Sequence, residues 1–412
     1  KSGQNIYGQG MWAASLRYHE GRFCICFVAN DTRKTYLYTS EKIDGPWKKQ
    51  LIEGFYHDGS LLFDEDGRNY IVYGNDEIWI TELNEDLTAP KKDGLHRLLV
   101  SDHKNPELGY EGSHIQKING YYYIFLVHSL RDRWMRTEAC FYSDSLEGEF
   151  TGGDVLCDDR GYCGQGVAQG GIVDTPDGKW YAMLFQDSGA VGRIPILLPV
   201  TWKDHFPFFG QNGHVPEEIE VHSTRPGYIY QPLVGSDDFC NGLLPRWQFN
   251  HDPDPRYYHL DALQGTYTIT TREVCTELTQ AVNTLTQRMS YPSCAAEVTV
   301  DASALKEGDV AGLCALQSCY AAVGITKHHG KYEVLMLDKK EDGILDMTEG
   351  TVVESHQMDF RLEADFCNMK DEARCYYRVN KGDWLPIGTV HKLYFKLDHF
   401  TGCRFGLFCY AA

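Results

Sequence analysis

Ser60-Leu61-Leu62-Phe63-Asp64-Glu65-Asp66-Gly67-Arg68-Asn69-Tyr70 reads as an apolar strand, an acidic Gly-bearing turn and the start of a second, aromatic strand. The same pattern stands at Ser15-Leu16-Arg17-Tyr18-His19-Glu20-Gly21-Arg22-Phe23 and at Ser113-His114-Ile115-Gln116-Lys117-Ile118-Asn119-Gly120-Tyr121-Tyr122-Tyr123. A fourth copy is Gly171-Ile172-Val173-Asp174-Thr175-Pro176-Asp177-Gly178-Lys179-Trp180-Tyr181. Gly at a tight turn between strands of period two marks a β-hairpin, and a hairpin recurring about every 45 to 60 residues predicts the blades of a propeller. Equivalent positions of successive blades converge on the central axis. Asp58 precedes the second copy and Glu111 the third, so these two carboxylates are expected in one cavity.

Working outward, the repeats occupy residues 1–210. Residues 211–236, with Pro216, the run Glu217-Glu218-Ile219-Glu220, Pro226, Gly227 and Pro232, read as a connecting segment. From Asp237-Asp238-Phe239 to residue 412 the repeat is lost. Short alternating strands replace it, such as Gly265–Thr270, Ala295–Val300 and Lys331–Leu337, which predict a β-sandwich. No long stretch of period 3.6 occurs, so the chain is expected to be all-β.

The 412 residues carry 39 Lys and Arg against 58 Asp and Glu, a formal charge of −19. Such a surface repels nucleic acid and anionic membranes and is compatible with a neutral polymer as partner. No apolar run is long enough to span a bilayer, and Lys1-Ser2-Gly3-Gln4-Asn5 lacks the apolar core of a signal peptide. The 14 cysteines sit in strand-like runs such as Phe23-Cys24-Ile25-Cys26-Phe27. They read as buried free thiols rather than a disulfide framework or a zinc site, and reduced thiols favour a cytoplasmic location.

Tyr110-Glu111-Gly112 suits a general acid: the aromatic neighbour desolvates the carboxyl and keeps its proton to higher pH, while Gly112 allows substrate to approach closely. Asp58, between His57 and Gly59, is expected to be its charged partner; either carboxylate alone would also serve to cap a turn. Trp12 offers a flat face for a sugar ring, or else a core position. Arg193 is a fork donor with a surface salt bridge as its alternative, and Gln169 precedes the fourth repeat as Asp58 and Glu111 precede theirs. His128 and Asp187 follow blade strands and are weaker candidates.

The sequence Gly-Met-Trp-Ala-Ala-Ser-Leu-Arg-Tyr-His (10–19), with His57-Asp58-Gly59-Ser60-Leu61-Leu62-Phe63-Asp64-Glu65-Asp66-Gly67, Tyr110–Ile115 and Ala168–Tyr181, resembles glycoside hydrolase family 43. These are β-xylosidases and α-L-arabinofuranosidases on a five-bladed β-propeller, and the two-domain members carry a C-terminal β-sandwich that residues 237–412 resemble. The resemblance implies that Glu111 is the general acid, that Asp58 tunes its pKa and holds it in position, and that Trp12 and Arg193 touch substrate. It implies an inverting, exo-acting glycosidase that removes xylose or arabinofuranose from hemicellulose fragments. The family's general base is an Asp in a first blade, ahead of the Trp12 motif. Residues 1–11 contain no Asp, so that blade is expected to lie largely outside the sequence. Gln169 stands where many members carry a His near a central metal or water. No cofactor is implied as required, and a structural calcium ion is left open. Two rival readings are a carbohydrate-binding protein without turnover and a propeller scaffold for protein partners.

Overall fold

The computed structural model describes residues 10–411 except 222, 224, 398 and 400. The segment Lys1–Asn5 lies outside the described residues. The chain divides into two compact units, one of residues 1–187 and 194–222, the other of residues 188–193 and 223–412. Strands dominate both, and the helices among the described residues are three-residue 3-10 turns. No helix of the described residues is long and apolar enough to cross a membrane.

The first unit contains four antiparallel four-stranded sheets, each a meander in chain order. They are β1 to β4 (Ser15–His19, Arg22–Ala29, Lys34–Ser40, Lys48–Ile52), β5 to β8 (Ser60–Phe63, Asn69–Asn75, Glu77–Leu83, His96–Ser101), β9 to β12 (Glu111–Ile118, Tyr121–Ser129, Arg136–Ser143, Thr151–Leu156) and β13 to β16 (Ala168–Asp174, Trp180–Asp187, Arg193–Lys203, Phe206–Phe209). Each quoted repeat is the first hairpin of a sheet, pairing Tyr18 with Phe23, Phe63 with Asn69, Ile118 with Tyr121 and Asp174 with Trp180. The tightest turns, Glu20-Gly21 and Asn119-Gly120, have positive φ at both residues, the geometry whose twist matches that of the flanking strands.

The sheets stack face to face. In β10, Tyr122, Ile124 and Leu126 pack with the core of the second sheet around Tyr70, Val72 and Ile80, whereas Tyr123 and Phe125 pack with the fourth sheet around Ile172, Leu184 and Phe209. A strand covered on both faces must be apolar at successive positions, and this is why Tyr121–Val127 reads as an unbroken apolar run instead of an alternation. A third core, with Cys24, Cys26 and Leu37 against Leu61 and Ile71, joins the first and second sheets. Burial pushes the Cys26 thiol up to about 12, so it stays protonated and inert. The cysteines form no disulfide among the described residues.

The first strand of each sheet faces its counterparts. Arg17 of β1 reaches Ser60 and Leu61 of β5, Ile115 of β9 donates its N–H to Ser60 Oγ, and Gln116 of β9 donates to the carbonyl of Ile172 in β13. Residues just ahead of β5 and β9 are thereby brought to one end of a shared centre.

In the second unit an eight-stranded sheet, with Arg404–Tyr410, Val310–Leu316, Tyr320–His328 and Lys331–Lys339 at its middle, packs on a four-stranded sheet of Ser293–Asp301, Gln357–Asp365, Glu372–Val379 and Leu385–Lys392. Leu313, Val323, Ile325 and Met336 from one sheet and Phe360, Leu362 and Ala373 from the other fill the space between them. This is a β-sandwich.

Candidate active site

Asp58 sits in the turn entering β5 with φ of 47°, in the left-handed region that Asp tolerates better than most residues. The turn is fixed by main-chain contacts: His57 O accepts from Gly74 N–H at 3.1 Å, and Asp58 O accepts from Ser113 Oγ at 2.9 Å. Glu111 heads β9, where it lies opposite Val127 of β10. The next residue, Gly112, has φ of 66°, and a Cβ there would stand 2.8 Å from Gln169 Nε2. The glycine makes room for Gln169, whereas its sequence position suggested room for substrate.

These turns place His57, Asp58 and Glu111 so that one ligand atom from each lies within 4.8 Å of the others. His57 Nε2 stands 3.6 Å from Asp58 Oδ2 and 3.7 Å from Glu111 Oε2. At those separations the coupling is electrostatic. The Glu111 carboxylate raises the imidazole pKa above its ordinary value, burial opposes this, and the Asp58 charge adds to the increase. Asn75, at the end of β6, donates its amide to Glu111 Oε2 at 2.8 Å and fixes the rotamer of that carboxyl. The Trp12 ring lies 5.5 Å from the His57 ring and forms one side of the cluster.

Behind Gly112 a second group of side chains surrounds Gln169, itself at φ of 66°. The Gln169 N–H donates to Glu138 Oε2 at 2.7 Å, and Arg136 Nη1 donates to Gln169 Oε1 at 3.4 Å. Glu138 is fully buried, and burial holds its carboxyl well above the usual range despite that N–H. Arg136 lies over the rings of Phe185 and Trp134 and is 3.5 Å from Asp187 Oδ2. Gln169 and Asp187 therefore belong together through Arg136. His128 belongs elsewhere: it lies between Asp102 and Asp154 with its ring against Tyr110. Arg193, first residue of β15, is counted with the second unit.

Asn75, Arg136 and Glu138 did not emerge from the sequence. Glu138 left a signal, an acid directly ahead of the apolar run Ala139-Cys140-Phe141, where an unpaired charge is costly. Asn75 left none, because it meets Glu111 across 36 residues of chain.

Residues 1–207 match the family described as glycosyl hydrolases family 43. The chain belongs to glycosyl hydrolase family 43. Residues 236–412 match a second family, the β-xylosidase C-terminal concanavalin A-like domain, in keeping with the sandwich. A family 43 protein of known structure, a bifunctional GH43-CE protein of Bacteroides eggerthii, is similar over 100% of this chain and 53% of its own, with 40% identity and a TM-score of 0.87. An engineered family 43 enzyme with endo-xylanase and exo-arabinofuranosidase activity is 26% identical with a TM-score of 0.82, over 98% of this chain and 83% of that one. A protein of Xylanibacter ruminicola named putative β-xylosidase is 28% identical over 78% of this chain and 61% of that protein. The chain thus spans 61% of the Xylanibacter relative and 53% of the Bacteroides one. Membership of family 43 makes the stacked sheets of the first unit part of a β-propeller.

Proposed function

We propose that this family 43 protein is an exo-acting, inverting glycosidase that releases terminal xylose or arabinofuranose from hemicellulose-derived oligosaccharides, on a propeller of five blades. The observation that carries the reading is the meeting of Glu111, Asp58 and His57 beside Trp12, with Asn75 holding Glu111 Oε2 at 2.8 Å. Glu111 gives its proton to the leaving glycosidic oxygen. Asp58 and His57 set the charge around that proton, and Trp12 offers its face to the C–H side of a pentose ring. Asp58 is too close to Glu111 to be the second carboxyl of an inverting pair, which must stand about 6.5–9.5 Å from the acid to leave room for water. The base is therefore assigned to the Asp that the family carries ahead of the Trp12 motif. The names of the relatives, a β-xylosidase and an enzyme with arabinofuranosidase activity, support pentosides as substrates.

The test is a panel of aryl β-D-xylosides, aryl α-L-arabinofuranosides and xylo-oligosaccharides given to the full-length protein, with the anomer of the first product followed by proton NMR. Release of single pentoses with inverted configuration is expected. Binding of these sugars without turnover would favour the carbohydrate-binding reading, and retention of configuration would remove the inverting assignment.

A further inference from the structure

Two cationic or basic side chains meet where the four inner strands converge, and the chemistry proposed above uses neither. Arg17, in the middle of β1, donates from Nε to Leu61 O at 3.0 Å, from Nη2 to Ser60 Oγ at 2.7 Å and Ile115 O at 3.2 Å, and from Nη1 to Leu16 O at 2.9 Å. It thus touches β5 two residues after Asp58 and β9 four residues after Glu111. His114 lies beside it, next to Gly171 of β13, where a Cβ would come 3.2 Å from the His114 Nδ1. Burial, and then the charge of Arg17, push the His114 imidazole down to about 4, so it is neutral at physiological pH.

A calcium ion beside Arg17 and His114 does not fit these residues. Calcium takes about six to eight oxygen ligands, carboxylates prominent among them. Here the oxygens of Ser60, Leu61 and Ile115 already accept from a guanidinium that cannot lose its charge. A second cation placed beside it would be repelled in a space where water screens little.

We propose that Arg17 is the resident cation of the propeller centre and a positioning residue for the acid pair, tying the strand that follows Asp58 to the strand that begins with Glu111 without a metal ion. The positioning half of this inference rests on the assignment of Glu111 as general acid; the cation half does not. The tie is redundant in direction, because Ser60 Oγ accepts both from Arg17 and from Ile115 N–H, at 2.7 and 3.2 Å. Removing the guanidinium would take a charged donor from the carbonyls of Leu61 and Ile115 and free β5 to shift against β9.

The experiment uses the full-length protein in three forms: wild type, Arg17→Lys and Arg17→Met. Calcium content is measured by elemental analysis after dialysis, thermal melts are run with chelator and with added calcium, and kcat and KM are measured on a xyloside or arabinofuranoside that the wild type cleaves. Wild type is expected to hold far less than one ion per chain and to melt at the same temperature with chelator as with calcium. Arg17→Met is expected to lose about 10- to 100-fold in kcat with KM little changed, the scale on which small misplacements act, and Arg17→Lys to recover part of it. One tightly held ion per chain whose removal lowers the melting temperature would overturn the proposal. So would a folded Arg17→Met protein with unchanged kcat. If Arg17→Met does not fold, Arg17→Lys and the wild-type metal content still decide. If the wild type cleaves no glycoside at all, the Glu111 assignment falls, while the metal and melting results judge Arg17 by themselves.

Discussion

Ser113 Oγ donates to the carbonyl oxygen of Asp58 at 2.9 Å, and it lies 3.0 Å from that of Val72. One hydroxyl, two residues beyond Glu111, therefore holds the backbone of the other carboxylate. Ser113→Ala would take from the Asp58 carbonyl its side-chain donor, at a cost of about 1–3 kcal/mol in folding stability. Because the lost contact also sets where Asp58 stands, kcat is expected to fall by more than stability alone explains. Urea unfolding and kinetics on the same preparation check both halves, and a destabilised variant with unaltered kcat would make Ser113 purely structural.

His57 is expected to titrate above its ordinary value, with Glu111 the larger cause and Asp58 the smaller. Glu111→Gln should lower its titration midpoint more than Asp58→Asn does, as read from the imidazole proton shifts by NMR. A His with a raised folded pKa adds stability that is fully present below about 6.5 and fades as pH rises through the folded value, so His57→Gln should flatten that decline. Equal titration in wild type and Glu111→Gln would break the coupling.

His114 has the opposite sign. Its folded value is near 4, whereas the unfolded imidazole titrates near 6.5, so between these pH values only the unfolded chain takes up the proton. Stability contributed by this group is complete above about 6.5 and is lost as pH falls toward 4, by about 3 kcal/mol at most. Denaturant melts at pH 7 and pH 4.5 should show this loss in wild type and a smaller one in His114→Gln. Parallel losses in both would place the acid sensitivity elsewhere.

Gly112 carries two separable constraints, its φ of 66° and the 2.8 Å approach of Gln169 Nε2 to any Cβ. Gly112→Ala should cost about 1–2 kcal/mol from the backbone term, with a further loss from the contact. Pairing it with Gln169→Ala should recover the contact part only. Additive effects in this double-mutant cycle would show that the two residues do not touch in solution.

The first hairpin of each sheet was legible because its turn residues announce themselves: Glu20-Gly21 and Asn119-Gly120 sit in turns that few other pairs enter. The outer strands β3, β4, β7 and β8 have no such marks and were not individually readable. Asp58 and Glu111 could be placed together since each stands just ahead of an equivalent strand, and register carries that equivalence into space. What surrounds them could not. Asn75, Arg136 and Glu138 reach the site from the second and third strands of their sheets, and their contacts depend on how one sheet faces the next, which no local pattern encodes. The family resemblance supplied roles for Glu111 and Asp58. It was silent on Arg17, whose guanidinium closes the centre.

The central claim is that Glu111 donates the proton to the leaving group, and its most direct test is the leaving-group dependence of Glu111→Gln. With an activated aryl pentoside, whose departing phenolate needs no proton, the full-length variant should retain much of its turnover. With xylobiose or an alkyl pentoside, whose leaving group does need one, kcat/KM should fall by about 100-fold or more, the contribution typical of general acid catalysis. Equal losses on both substrates would contradict the account.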